Sequence, residues 1–149
     1  SEGFLYTAVV IDLFSRKVIG LATDDSIKTH LVTSALMMAL HLRQPPKELI
    51  HHSGRGSQYA SYEYTKLVQN NNLIQSMSRT GNCYDNAMVE SFFHTLKVEC
   101  VYQNKCQTKQ QAKEDIQNYI HNFYNNQRKH SAPDYHAPNT YEQNYNNAA

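Results

Sequence analysis

Apolar residues run almost unbroken from Phe4 to Ile11, rich in Val, Ile and Tyr. Such a run predicts a strand covered on both faces. A polar break from Asp12 to Lys17 leads into a second apolar run, Val18–Thr23, so the two predict an antiparallel hairpin. Asp12 is expected to cap the Ser15–Arg16 turn amides. From Lys28 to about Arg43, Leu31, Val32, Ala35, Leu36, Ala39 and Leu42 keep helical spacing, and Pro45 and Pro46 stop that helix. A short strand is expected over Glu48–His52, a loop from Ser53 to Tyr59, a helix from about Ser61 to Asn70 and a strand at Ile74–Met77. A loop through Gly81 and Asn82 then feeds a helix from about Asp85 to Glu99. Thr108 with Gln111 reads as a capping box for a last helix striped by Ala112, Ile116, Tyr119, Ile120 and Phe123. Beyond Gln127 the Pro-, Tyr- and Asn-rich chain reads as irregular. The order β-β-α-β-α-β-α-α indicates an α/β fold, a mixed sheet covered by helices.

Composition adjusts this picture only in places. At 149 residues the chain is one domain with room for a small appendage. The apolar share is 40% and mean hydropathy −0.66. From residue 101 onward 16 of 49 residues are Asn or Gln, so that end is expected to pack less than the rest. The net charge of +1 points to no partner, but residues 91–130 carry six Lys/Arg against three acids. That local excess suits a phosphate-facing surface as well as a solvated helix. Cys83, Cys100 and Cys106 sit at no metal spacing and read as reduced thiols in a cytosolic protein. No unbroken apolar run approaches the ~18 residues of a membrane span. Ser1, Glu2 and Gly3 lead straight into the first apolar run, as expected of a start inside a longer reading frame.

Chemistry concentrates on the helix after Gly81. Val89, Phe92, Phe93 and Leu96 form its apolar stripe, while Asn86, Glu90 and Lys97 share the opposite side with His94 beside them. A carboxylate near an amide and a lysine could serve a metal or a phosphate, and equally could be a surface acid. His51 and His52 make no zinc pair, because adjacent residues at a strand end point to opposite faces.

Three stretches carry a resemblance: His52–Tyr59 (with Ser53, Gly54, Arg55, Gly56, Ser57 and Gln58), Gly81–Phe93, and Leu96–Glu99. Ala8–Gly20 agrees with them, as do Tyr124, Asn125, Arg128, His130, Ser131 and Pro138. Together these resemble the catalytic core of bacterial insertion-sequence transposases, the group related to retroviral integrases. The resemblance implies a ribonuclease H-like mixed sheet with helices on both faces. It divides the chain into an incomplete integrase-like core, 1–103, and a C-terminal helix with an irregular tail, 104–149. The implied activity is Mg²⁺-dependent DNA cleavage and strand transfer by an Asp-Asp-Glu trio holding two cations, because two hard cations need several anionic oxygens.

In this resemblance Glu90 is the third carboxylate and metal ligand, and Gly54 stands where the family has its second Asp. The 35 residues between them match the family's spacing. The first Asp would lie on a strand just before Phe4, so the first strand is expected to be missing from this sheet. Lys97, Arg55 and Arg79 carry over as phosphate contacts and Asn86 as part of the site floor. The implied partners are DNA, both transposon ends and target, and copies of itself or of full-length transposase, with no membrane. The implied location is the bacterial cytoplasm, on the nucleoid when bound. With one family carboxylate present, the chain is expected to be inactive, and Asp restored at 54 is expected to rescue it only together with the first strand. The alternative is a non-catalytic module that binds DNA or transposase.

Overall fold

A computed structural model of the protein describes residues 3–78, 87–101, 108–130 and 135–148. Strands β1 (Tyr6–Ile11) and β2 (Val18–Asp24) pair as the expected hairpin. Across its turn the Asp12 amide donates to the Lys17 carbonyl at 2.9 Å. Asp12 caps this turn through a different amide from the one expected: Phe14 N–H donates to its Oδ1 at 2.8 Å. The Arg16 amide instead reaches the Asp12 main-chain carbonyl at 2.7 Å, because Arg16 adopts a left-handed backbone, φ 67°. The expected cover on both faces of β1 is not observed, since only Ala8 is buried. Among the described residues β1 belongs to a two-stranded sheet, which shields each strand on one edge alone.

Helix α1 (Thr29–Arg43) lies on β2 through a stripe of Leu31, Val32, Ala35, Leu36 and Ala39. It closes on Gln44, φ 46°, whose amide donates to the Leu40 carbonyl at 2.9 Å. Gly20 is where strand and helix touch. A Cβ there would fall 2.2 Å from the Ala35 carbonyl oxygen and 3.1 Å from Ala39 Cβ. Gly20→Ala is therefore expected to force the helix off the strand and lower stability by about 1–3 kcal/mol. A denaturation midpoint equal to the parent's would show that this approach is not tight.

Strand β3 (Ile50–Ser53), helices α2 (Ser57–Ala60) and α3 (Tyr62–Asn70), and strand β4 (Ile74–Met77) follow. Strands β3 and β4 are parallel, with Ile50 opposite Ile74 and Ser53 opposite Met77. The α3 cap is Ser61, whose Oγ accepts from the Tyr64 amide at 3.2 Å. The single turn α2 overlaps the stretch expected as loop, because four residues are too few to show a helical period. The core of this part joins Ala8, Leu31, Val32, Ala35, Leu36, Tyr64, Val68 and Leu73.

Helix α4 (Ala87–Leu96) runs into a π turn, Lys97–Val101. Helix α5 (Lys109–Asn118) begins at Thr108, whose Oγ1 accepts from the Gln111 amide at 3.0 Å, and passes into a second π turn, Tyr119–Tyr124. The tail read as irregular contains helix α6 (Pro138–Ala148). Pro138 suits a first helical position, and α6 is held from outside its own sequence. Phe14 packs on Tyr141 and Tyr145, each ring pair 5.0 Å apart, and Ser15 Oγ donates to Glu142.

The chain forms two compact units. One holds Phe4–Val10 and Ile19–Glu90, and the other holds Ile11–Val18 with the residues from Ser91 onward. In the second unit Phe92, Leu96, Cys100, Ile116, Ile120 and Tyr124 are buried.

Candidate active site and nucleic-acid interface

Gly54 and Arg55 leave the carboxyl end of β3, and Ser78 leaves the carboxyl end of β4. In α/β sheets this end of parallel strands is where ligands bind. Ser78 ties the two exits together. Its amide and Oγ both donate to the Ser53 carbonyl, at 2.9 and 3.2 Å, and its own carbonyl accepts Arg55 Nε. Arg55 is exposed, but that bond draws the root of its guanidinium back onto the strand end. His52 completes the patch, with Nδ1 2.9 Å from Ser76 Oγ and Nε2 3.2 Å from Ser78 Oγ.

The neighbouring His51 turns the other way, as expected of adjacent strand residues, and meets the Tyr64 hydroxyl at 2.6 Å. Burial, helped by the nearby His52, holds its imidazole below the usual histidine range. The glycine with a left-handed backbone among the described residues is Gly3, not Gly54. An L-residue is therefore compatible with the backbone at position 54.

Glu90 sits exposed in the first turn of α4, in the same unit as Gly54 and Arg55. Lys97, also exposed, opens the π turn and belongs to the other unit. The apolar stripe expected on this helix is narrower than read: Phe92 and Leu96 are buried, Phe93 half-buried and Val89 exposed. The α-helical period ends at Leu96, so spacing in threes and fours carries Glu90 no further than that residue. Arg79 and Asn86 lie outside the described residues.

A cluster that spacing does not reveal lies in the second unit. Arg128 grips Glu99 with a fork: Nε donates at 2.8 and 3.0 Å and Nη2 at 2.7 Å. The Tyr119 hydroxyl donates to the same carboxylate at 2.7 Å. Arg128 Nη1 lies 3.2 Å from His130 Nδ1. The Arg128 hydrogen bonds hold the Glu99 carboxyl below the usual carboxylate range. Burial first, and then the bond to Glu99, push the Tyr119 phenol up. The pair is separated by 29 residues, beyond the reach of any local pattern.

Among the described residues the donor set does not fit a two-cation centre. Gly54 offers no side-chain oxygen, and among the described residues no three His, Cys, Asp or Glu side chains gather as metal ligands. No helix among them is long and apolar enough to cross a membrane.

Comparison with known proteins adds the lineage. The family described as Integrase core domain matches residues 1–83, and a second family of the same description matches 90–145. The transposase InsF for insertion sequence IS3A, from Escherichia coli K12, is 47% identical over 130 residues, covering 87% of this chain and 45% of that protein. An uncharacterized 31 kDa protein of insertion element IS600 from Shigella sonnei is 40% identical over 148 residues, covering 99% of this chain and 54% of its own length. The chain thus spans about half the length of these relatives. Among solved structures, the catalytic core domain of BIV integrase matches with a TM-score of 0.65 at 17% identity, over 100% of this chain and 94% of that one. The HTLV-2 integrase catalytic core domain in complex with magnesium matches with a TM-score of 0.57 at 13% identity, over 93% of this chain and 92% of that one.

Proposed function

This chain belongs to the integrase core domain family and has its ribonuclease H-like α/β fold, and on that footing we propose that it is the core of an insertion-sequence transposase acting in DNA transposition. The observation that carries this reading is the identity with InsF, 47% over 130 residues. The activity proposed for the whole protein is Mg²⁺-dependent cleavage and strand transfer of DNA, with Glu90 as one carboxylate of the site. Gly54 stands at the second carboxylate position and supplies none. The version of the core in hand therefore contributes DNA binding and assembly rather than bond breaking.

Its proposed partners are duplex DNA at element ends and targets, and further transposase copies, as homo-oligomers or mixed with full-length protein. Its place of action is the nucleoid. Lys97 and the outer edge of Arg55 are the proposed phosphate contacts among the described residues, with Arg79 and Asn86 as further candidates. The surplus of cations over residues 91–130 supports this assignment.

Salt-dependent binding to a duplex bearing the element's terminal repeat tests it. Lys97→Ala is expected to weaken binding at all sequences alike and to flatten the log–log salt slope by about one. Glu90→Gln is expected to leave binding intact. Binding insensitive to salt, or to Lys97→Ala, would remove DNA as the ligand of this face.

A further inference from the structure

We propose that the Glu99–Arg128–Tyr119 clasp is a positioning device for Lys97, fixing the π turn from which Lys97 reaches phosphate. The inference rests on the DNA reading above for what Lys97 touches, and on this structure alone for what holds it. Four observations point the same way.

First, Lys97 opens the five-residue π turn Lys97–Val101, and Glu99 is the third residue of that turn. π turns joined to α-helices are rare and occur frequently at functional sites. Second, the hold is unusually complete for a half-exposed carboxylate. Glu99 receives three bonds of 2.7–3.0 Å from the Arg128 fork and a fourth of 2.7 Å from Tyr119. A planar fork on a carboxylate fixes orientation as well as distance. Third, Tyr119 opens the second π turn, so the clasp joins the two π turns of the described chain directly. Below them Cys100 is buried and its thiol donates to the Asp115 carbonyl at 3.7 Å. Fourth, Lys97 itself stays exposed. Residues two apart on a helix do not face one another, so Glu99 holds the turn without neutralising the lysine.

A plain charge argument makes the opposite prediction. An acid two residues from a phosphate-binding lysine repels DNA, so Glu99→Gln would tighten binding. The positioning role requires that Glu99→Gln weaken it. With the purified chain and a fluorescent terminal-repeat duplex, Glu99→Gln is expected to flatten the salt slope by about one, as Lys97→Ala does. The double variant is expected to bind no more weakly than either single variant. Arg128→Lys, which keeps the charge and loses the fork, is expected to behave like Glu99→Gln, and Tyr119→Phe to fall between.

Tighter binding by Glu99→Gln, or a full Lys97→Ala effect on top of it, overturns the proposal. Amide hydrogen exchange separates the clasp from the DNA reading. Protection over Lys97–Val101 is expected to fall in Glu99→Gln and Arg128→Lys while protection in α1 is retained. Unchanged protection there overturns the clasp whatever DNA does. Absence of salt-dependent binding by the parent chain overturns the DNA reading, and the exchange result then decides the clasp by itself.

Discussion

Supplied with Mg²⁺ or Mn²⁺ and duplex element ends, this chain is expected to cut and join no DNA. Two-cation phosphoryl transfer needs several anionic oxygens, to activate one oxygen of the displacement and to stabilise the other. In the proposed assignment the second of these would stand at the end of β3 at Gly54, which has no side chain, so the metals would lack a ligand rather than a neighbour of a ligand. Removing outer-shell partners of metal ligands alone costs about 10–100-fold. Loss of a ligand is expected to exceed that, measured in a longer protein that also supplies the first aspartate. The backbone is ready for that residue, because Gly54 does not use the left-handed region that would exclude an L-amino acid. In a longer protein that supplies the family's first aspartate upstream of Phe4, Gly54→Asp is expected to recover strand transfer and Gly54→Ala to leave it dead. Robust transfer by any version that retains Gly54 would sink this account and would mean that another group completes the metal site.

The elements that carry Gly54 and Glu90 were legible to the extent that their parts are local. The loop after β3 and the helix carrying Glu90 follow from a turn signal and an apolar period, and the match of 35 intervening residues does not depend on coordinates. The α1 stripe on β2 was legible for the same reason, since Leu31, Val32, Ala35, Leu36 and Ala39 announce their own buried face.

What spacing did not carry is whatever depends on distant partners. Helix α6 has few aliphatic residues, and its anchors, Phe14 and Ser15, lie at the other end of the chain, Ser15 being 127 residues from Glu142. The two π turns leave no trace in a period of three or four, so the α-helical count that places Lys97 on the face of Glu90 stops at Leu96. Arg128 and Glu99 both stand in segments that carry the resemblance, but nothing in their spacing pairs them.

Asn125→Ala is expected to be the most destabilising polar substitution in the second unit, at about 2–5 kcal/mol. Asn125 is 2% exposed and Val18 3%. The amide side chain of Asn125 treats Val18 as a neighbouring strand would. Its Oδ1 accepts from the Val18 N–H at 3.0 Å and its Nδ2 donates to the Val18 carbonyl at 3.1 Å. The main chain of Asn125 is engaged as well: its amide donates to the Ile120 carbonyl at 2.9 Å, and its carbonyl accepts from Asn139 at 2.8 Å. One residue therefore closes the second π turn, seats the start of α6 and satisfies the end of the hairpin. Alanine keeps the main-chain bonds and abandons two buried backbone groups of Val18, each worth about 1–3 kcal/mol when left unpaired. Against a typical total of about 5–15 kcal/mol this removes a large share of the stability.

Asn125→Asp is expected to be nearly as harmful, because a carboxylate can accept from the Val18 amide but sets a second oxygen against the Val18 carbonyl. The exposed Asn118→Ala serves as the reference, with a change within about 0.5 kcal/mol. Urea melts of the three variants would decide the matter. If Asn125→Ala unfolds at the parent's midpoint, water has replaced the amide at Val18, and the junction between hairpin and α6 is held instead by the Phe14, Tyr141 and Tyr145 rings.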